Sequence, residues 1–305
     1  MMNKKHTKLA GVILATILLG ATLTACDAVA GINEPQAACS PSEDNALQAT
    51  TASEPQPPTP QQPTEPQATE QESERLDYIT IGGEQFSTSL TVMFLDGPLT
   101  NEDIVPLRYM SELRELVVGV IDPSNQITDL SPIAGLTNLE VIFFSGDYIA
   151  DLTPLAGLGN LDNIHFFRNQ VADLTPLAGL TNLRVLQMGA AQITDVSPLA
   201  GLTNLVSLDL SWNQITDIAP LAGLTNLWTL NLRDNQITDV TPLANLARDG
   251  RSNLTGLYLS NNQISDITQL EGLVSLESLW LDGNPITDLS AVEHVPSVVF
   301  EMIMP

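Results

Sequence analysis

Apolar residues recur along most of the chain at one fixed spacing. Leu136, Leu158, Leu180, Leu202 and Leu224 stand twenty-two residues apart, as do Asp129, Asp151, Asp173, Asp195, Asp217 and Asp239. A period of that length marks stacked repeats. Within the unit Leu202 to Gly223, Leu208 and Leu210 alternate with Ser207, Asp209 and Ser211. That is the period of a β-strand, with leucines facing a core and polar residues facing solvent. Asn213 then falls in a tight turn, where its side chain can bond backbone groups that the turn leaves free. Ile215, Ile218 and Leu221 fill the core from the return side. The pairs Ser131-Pro132, Thr153-Pro154, Thr175-Pro176, Ser197-Pro198 and Thr241-Pro242 predict an N-cap followed by Pro at the first helical position. Gly157, Gly179, Gly201 and Gly223 end a short turn of 3-10 type. No such coil buries its leucines alone, so the coils must stack.

The turn position reads Asn125, Asp147, Asn169, Ala191, Asn213, Asn235, Asn262 and Asn284. Asp147 still accepts a hydrogen bond; Ala191 does not, which predicts a weaker rung. Between Leu246 and Leu254 the spacing grows by five residues, a surface bulge carrying Arg248 to Ser252. Upstream, Leu90, Met93 and Leu95 predict one more strand, with a helical return over Thr100 to Met110. Tyr78 to Ser87, with Gly82-Gly83 at its centre, predicts a capping hairpin. Val295 and Val298 continue the leucine positions. The sum is about nine coils with strands ~4.8 Å apart.

Units such as Asn213-Gln-Ile-Thr-Asp-Ile-Ala-Pro-Leu-Ala-Gly-Leu-Thr-Asn-Leu resemble the repeats of the internalins and related bacterial leucine-rich-repeat surface proteins. The resemblance covers residues 113 to 295 closely and 76 to 112 loosely. It implies an α/β class leucine-rich-repeat solenoid: a curved parallel sheet with short 3-10 or irregular returns. No immunoglobulin-like region follows the repeats and no sortase motif is present, so host-cell invasion is not carried over. The organisation expected is a signal peptide over 1–25, a lipidated Cys and linker over 26–75, a cap and irregular repeat over 76–112, regular repeats over 113–295 and a C-terminal cap over 296–305.

At the other end, Lys4, Lys5 and Lys8 precede the apolar stretch Leu9 to Leu23. Fifteen residues fall short of the ~20 that span a bilayer, and they fit a signal-peptide core. The stretch closes Leu23-Thr24-Ala25-Cys26, which resembles the lipobox of bacterial lipoproteins. That resemblance implies lipidation of Cys26 and an extracytoplasmic protein held on the cell membrane by its N-terminal lipid. From Asp27 to about Arg75 the chain is rich in Pro, Gln, Thr and Glu, without hydrophobic periodicity. Such a composition predicts a disordered tether. It would reach roughly 150 Å as polyproline II and ~40 Å as a flexible coil. Cys39 lies within it. With Cys26 lipidated, Cys39 is an unpaired thiol or an intermolecular disulfide.

Charge narrows the functions. Eleven Lys and Arg face thirty-six Asp and Glu, a net charge of −25. Removing a leader that holds all three Lys takes it to −28 and leaves eight Arg. That sign opposes nucleic-acid binding and leaves the lipid as the membrane contact. Three His and two Cys exclude a zinc ribbon or an iron–sulfur cluster. The expectation is no cofactor, no metal and no enzyme: no nucleophile, metalloprotease or phosphate-loop motif occurs, and His165 and His294 are six coils apart. The Asp series accepts backbone N–H groups at the start of each return. Calcium is the alternative, with too few carboxylates per coil to hold it.

The solvent face of the sheet is free of core duty. Its central row is Phe143, His165, Gln187, Asp209, Asn231, Tyr258 and Trp280, and the row after it includes Phe167, Arg233 and Asp282. Aromatics among polar residues are the residue types of protein hot spots and also of sugar stacking. These ten residues are the expected partner surface of a monomer that recognises a macromolecule, a protein first of all, in adhesion or recognition. The alternatives are an envelope assembly protein with a partner on the same cell, and a glycan or peptide receptor. Trp212 is expected at the rim, and Trp228, at the start of a strand, is expected to pack.

Overall fold

The computed structural model describes residues 76–119, 125–146, 148–247 and 252–300. Cys26, the linker, Cys39, Asp147, residues 248–251 of the bulge and the tail after residue 300 lie outside them. The predicted hairpin forms from β1 (Tyr78–Ile81) and β2 (Glu84–Ser87), paired antiparallel. Gly82 and Gly83 both take positive φ, 55° and 81°, which suits the twist of a two-residue hairpin turn.

One parallel sheet of ten strands follows, in chain order. Its strands are β3 (Val92–Leu95), β4 (Glu115–Val118), β5 (Val141–Phe144), β6 (Asn163–His165) and β7 (Val185–Gln187). Then come β8 (Ser207–Asp209), β9 (Thr229–Asn231), β10 (Gly256–Tyr258), β11 (Ser278–Trp280) and β12 (Ser297–Val299). Nine returns link the ten strands among the described residues, in keeping with about nine coils. The first return holds a short helix α1 (Asn101–Ile104), running into the 3-10 turn Val105–Tyr109. The others are 3-10 turns. The leucine-rich core is continuous from Ile79 to Val295, with Phe144 and Phe166 stacked inside it at 5.6 Å.

The coils are tied by the turn asparagines. Asn213 Oδ1 accepts Ile193 N–H of the preceding coil at 3.0 Å, and its Nδ2 donates to Met188 O there and to Leu210 O in its own coil. Asn235, Asn262 and Asn284 repeat this pattern. Asn169 holds Ile149 N–H and Phe144 O, and Asn125 holds Leu99 N–H. No side chain among the described residues takes this part at Ala191. A second ladder runs parallel to the first: Asn138, Asn160, Asn182, Asn204, Asn226 and Asn253 each donate to a carbonyl of the preceding coil at 2.8–3.1 Å.

The returns correct one expectation. Ser131, Thr153 and their equivalents are the first residues of the 3-10 turns, with Pro second, and none acts as a side-chain N-cap. The aspartate two residues earlier does the capping. Asp129, Asp151, Asp173, Asp195, Asp217, Asp239, Asp266 and Asp288 each accept the N–H two positions on, at 2.7–2.9 Å. The carboxylate reaches past its neighbour because a 3-10 start exposes that first N–H.

Removing one rung tests the ladder. Asn213→Ala leaves Ile193 N–H and the Met188 carbonyl in buried surroundings without this partner, and should cost about 1–3 kcal/mol. Ala191→Asn should gain about 0.5–1.5 kcal/mol by completing the missing rung. Urea unfolding of both variants measures the two effects, and equal midpoints for all three proteins would refute the account.

Candidate binding surface

The zero-shift register carries every strand position straight to its equivalent in the next coil. Phe143, His165, Gln187, Asp209, Asn231, Tyr258 and Trp280 are therefore successive Cα partners across seven strands. Backbone pairing continues past the strands, as in Arg168 N–H to Gly189 O and Trp212 N–H to Arg233 O. This brings Phe167, Gly189, Ser211, Arg233, Ser260 and Asp282 into the adjoining row. The ten residues singled out from sequence thus share one face. Nine are half-buried; His165 is 3% exposed.

The burial of His165 departs from its expected place on a solvent face. The Phe143 ring stacks on it at 5.6 Å, and its Nδ1–H donates to Gln187 Oε1 at 2.9 Å. Its Nε2 is buried with no partner. Desolvation pushes its pKa below the ordinary histidine range, partly offset by the Gln187 hydrogen bond. A proton on Nε2 would have no acceptor, so the ring stays neutral.

Glycines floor the aromatic groups. A Cβ on Gly189 would lie 2.7 Å from the Phe167 ring, and one on Gly256 would lie 3.3 Å from the Tyr258 ring. Phe143, His165 and Phe167 make one aromatic group, with the Arg168 guanidinium 5.7 Å over Phe167. Tyr258 and Trp280, with centroids 5.8 Å apart, make the other.

A polar network lies between the two groups. Asp209 Oδ1 accepts Ser211 N–H, and its Oδ2 accepts Asn231 Nδ2–H at 3.0 Å. Asn231 Oδ1 accepts Arg233 N–H, and Arg233 Nε–H reaches Asp234 Oδ2 at 3.1 Å. Asn261 donates to the other Asp234 oxygen, and Ser260 donates its hydroxyl to Asp282.

From Gly146 to Gly283 the residue before each turn position lies in the left-handed region. Gly146 and Gly283 do so freely, but Arg168, Ala190, Trp212, Asp234 and Asn261 do so at φ of 55–59°. Trp212 stands 47% exposed there with the Arg233 guanidinium 5.6 Å over its ring. Trp212 therefore belongs to the rim of the surface. Trp228, expected to pack, is 59% exposed. Its position just before β9 falls outside the alternation that separates core from face, so strand period alone misplaced it.

Among the described residues no three His, Cys, Asp or Glu side chains gather as a metal group, and no helix is long and apolar enough to cross a membrane. The Asp series is engaged in capping. Hydrogen bonds from the residue two positions on lower the pKa of Asp151, Asp173, Asp239, Asp266 and Asp288.

Two pH windows follow. His165 has a depressed folded pKa, so the unfolded chain binds the extra proton as pH falls below ~6.5, and stability drops there. His165→Gln should flatten that slope. The capping aspartates contribute stability above ~3.9 that is lost as pH falls through their lowered folded values. Thermal melts of both proteins from pH 7.5 down to pH 3 should show the first loss in the wild type alone and the second in both.

The comparisons agree with this geometry. A family model of leucine-rich repeats in two copies matches residues 203–245 and 252–294. An internalin C2 of Listeria monocytogenes is 31% identical, with a TM-score of 0.53, over 72% of this chain and 86% of that one. A leucine-rich-repeat protein of Leptospira interrogans is 25% identical, with a TM-score of 0.57, over 65% of this chain and 51% of that one. A plant peptide hormone receptor, solved in complex with RGF2, shares the fold at 20% identity and a TM-score of 0.54, over 68% of this chain and 38% of that one. A search of curated proteins gave no match. The repeat length, the two asparagine ladders and the match to most of internalin C2 agree: the chain belongs to the internalin-like leucine-rich-repeat proteins.

Proposed function

We propose that this is a cell-surface binding protein, lipid-anchored through Cys26, whose concave sheet face recognises a protein partner as a monomer. The observation that carries the reading is the in-register face itself. Phe143, His165, Phe167, Gln187, Asp209, Asn231, Arg233, Tyr258, Trp280 and Asp282 form it, and the scaffold leucines lie on the opposite side of the strands. The aromatic groups at its two ends are already braced by Gly189 and Gly256. A surface ordered before binding loses less side-chain freedom on association. Its centre, from Asp209 to Arg233, would set polarity and register. The plant receptor bound to RGF2 is a protein of the same fold that engages a peptide.

The lipid reading rests on the Leu23-Thr24-Ala25-Cys26 sequence. Several acyl chains hold a protein far better than one, at ~0.8 kcal/mol per buried CH₂. Cys26→Ala should shift the protein from the membrane fraction to the medium, which fractionation measures directly. Retention in the membrane would remove the anchor.

Partner recognition is tested with the chain as bait against host surface proteins and against the envelope of the cell that makes it. Replacing Phe143, Phe167, Tyr258 and Trp280 together by Ala should abolish specific capture. Gly189→Ala should weaken it by displacing the Phe167 ring and the Ser211 hydroxyl. Undiminished capture by the fourfold variant would sink the concave-face reading. Capture confined to the cell's own envelope would turn the reading from adhesion to envelope assembly.

A further inference from the structure

A second row of side chains runs along the leading edge of the sheet, one residue before each strand. In order it reads Arg114, Glu140, Asp162, Arg184, Val206, Trp228, Thr255, Glu277 and Pro296. In the first half two neighbouring acids, Glu140 and Asp162, are flanked by Arg114 and Arg184. Arg114 Nη1 meets Glu140 Oε1 at 2.8 Å, and Arg184 acts electrostatically on Asp162. In the second half that complement stops. The row neighbours of Glu277 are Thr255 and Pro296, and no cation pairs with it among the described residues.

At that place the surface opens into a pocket of about 520 Å³, lined among others by Trp228, Asn253, Thr255, Val274, Glu277 and His294. This falls in the ~300–1,000 Å³ range of ordinary ligand sites. The fold has already engaged three of the side-chain donors of this lining. Asn253 Nδ2 donates to Thr225 O, the Thr255 hydroxyl to Trp228 O, and His294 Nε2–H to Leu273 O. What remains for a ligand is Asn253 Oδ1 and its second amide N–H, the Thr255 lone pairs, the Trp228 indole N–H and the Glu277 carboxylate. Acceptors outnumber donors among these groups and include a full negative charge, and the serine hydroxyls of the lining accept as readily as they donate. Beside them stands an indole that is 59% exposed.

A ligand for such a pocket brings donors, a positive charge and a flat face. Among the described residues the lining contains no Lys or Arg, and the chain carries −25, which disfavours anions. A guanidinium answers all three demands: five N–H donors, no acceptor, permanent charge and a plane that stacks on Trp. We propose that this pocket binds an arginine side chain of a protein partner, stacked on Trp228 and paired with Glu277. The remaining volume takes the arginine stem and its flanking backbone. This deepens the reading of the chain as a protein-binding surface and rests on it only for the source of the arginine.

The probe is N-acetyl-Gly-Arg-Gly-amide, titrated against the full chain by ligand-observed NMR. Saturable binding is expected, weaker at high salt. Trp228→Ala and Glu277→Gln should each weaken it about tenfold or more. The Lys peptide should bind less well than the Arg peptide, and the peptide with citrulline, which lacks the charge, should not compete. The Phe143, Phe167, Tyr258, Trp280 fourfold variant should bind the peptide as the wild type does, so a failure of the concave face leaves this result standing. Equal binding of the citrulline peptide, unchanged binding by Trp228→Ala or by Glu277→Gln, or preferential binding of a neutral trisaccharide such as cellotriose would overturn the proposal.

Discussion

The structure depends on the hydrogen bonds that asparagine makes across the turn. A three-residue strand followed at once by a sharp bend leaves amide and carbonyl groups facing the core. Each buried backbone group without a partner costs about 1–3 kcal/mol, as much as one buried leucine returns. Asn resolves this because one short side chain carries an acceptor and two donors. Asn213 uses all of them, reaching back to Ile193 and Met188 and sideways to Leu210. Asp preserves only the accepting half of that chemistry, and Ala preserves none.

Once each coil is fixed to the one before it, the twenty-two-residue register follows and the surface rows are consequences. Two constraints then divide the molecule. Inward positions are held to Leu, Ile, Val, Met and Phe by packing, while outward positions are bound only by strand geometry. The row before the turn asparagines belongs to neither class. From Gly146 to Gly283 its backbone is left-handed in each coil, which Gly tolerates and other residues adopt at about 1–2 kcal/mol each. Gly146 and Gly283 occupy it near the two ends. Arg168, Trp212 and Asp234 occupy it in the middle, where the guanidinium groups of Arg168 and Arg233 meet aromatic rings. Strain borne by large side chains on an exposed rim points to use of that rim rather than to the needs of the core.

The fold was legible because the repeat is regular. Counting back four residues from each turn position put Phe143 through Trp280 in one row, and the register places them there. Three things escaped that arithmetic. The second asparagine ladder was present as the recurring Asn before Leu, but its partners are carbonyls of another coil, which a single unit does not display. The capping role of Ser and Thr was displaced to aspartate because each 3-10 turn starts at the Ser or Thr itself, one residue earlier than an N-cap there would place it. The burial of His165 depends on the size of its neighbours Phe143 and Gln187, a property of the stack and not of the position.

Charge varies along the solenoid while the core stays uniform. Near the N-terminal coils the leading edge carries arginines close to acids, so that edge is largely self-compensated. Past Val206 the arginines give way to Trp228 and Thr255, and the same edge presents an exposed ring and a carboxylate, Glu277, with no ion-pair partner among the described residues. The lengthened spacing between Leu246 and Leu254 falls in this stretch, and the second asparagine ladder ends there too, with Ser275 in the place of Asn. The scaffold accommodates these departures because each coil answers only to its neighbours. A solenoid therefore confines its irregularities to a few coils. In this one, the loss of charge complement, the break in the ladder and the exposed tryptophan coincide on one edge, whereas the central row of the sheet runs through the same coils with its register unbroken.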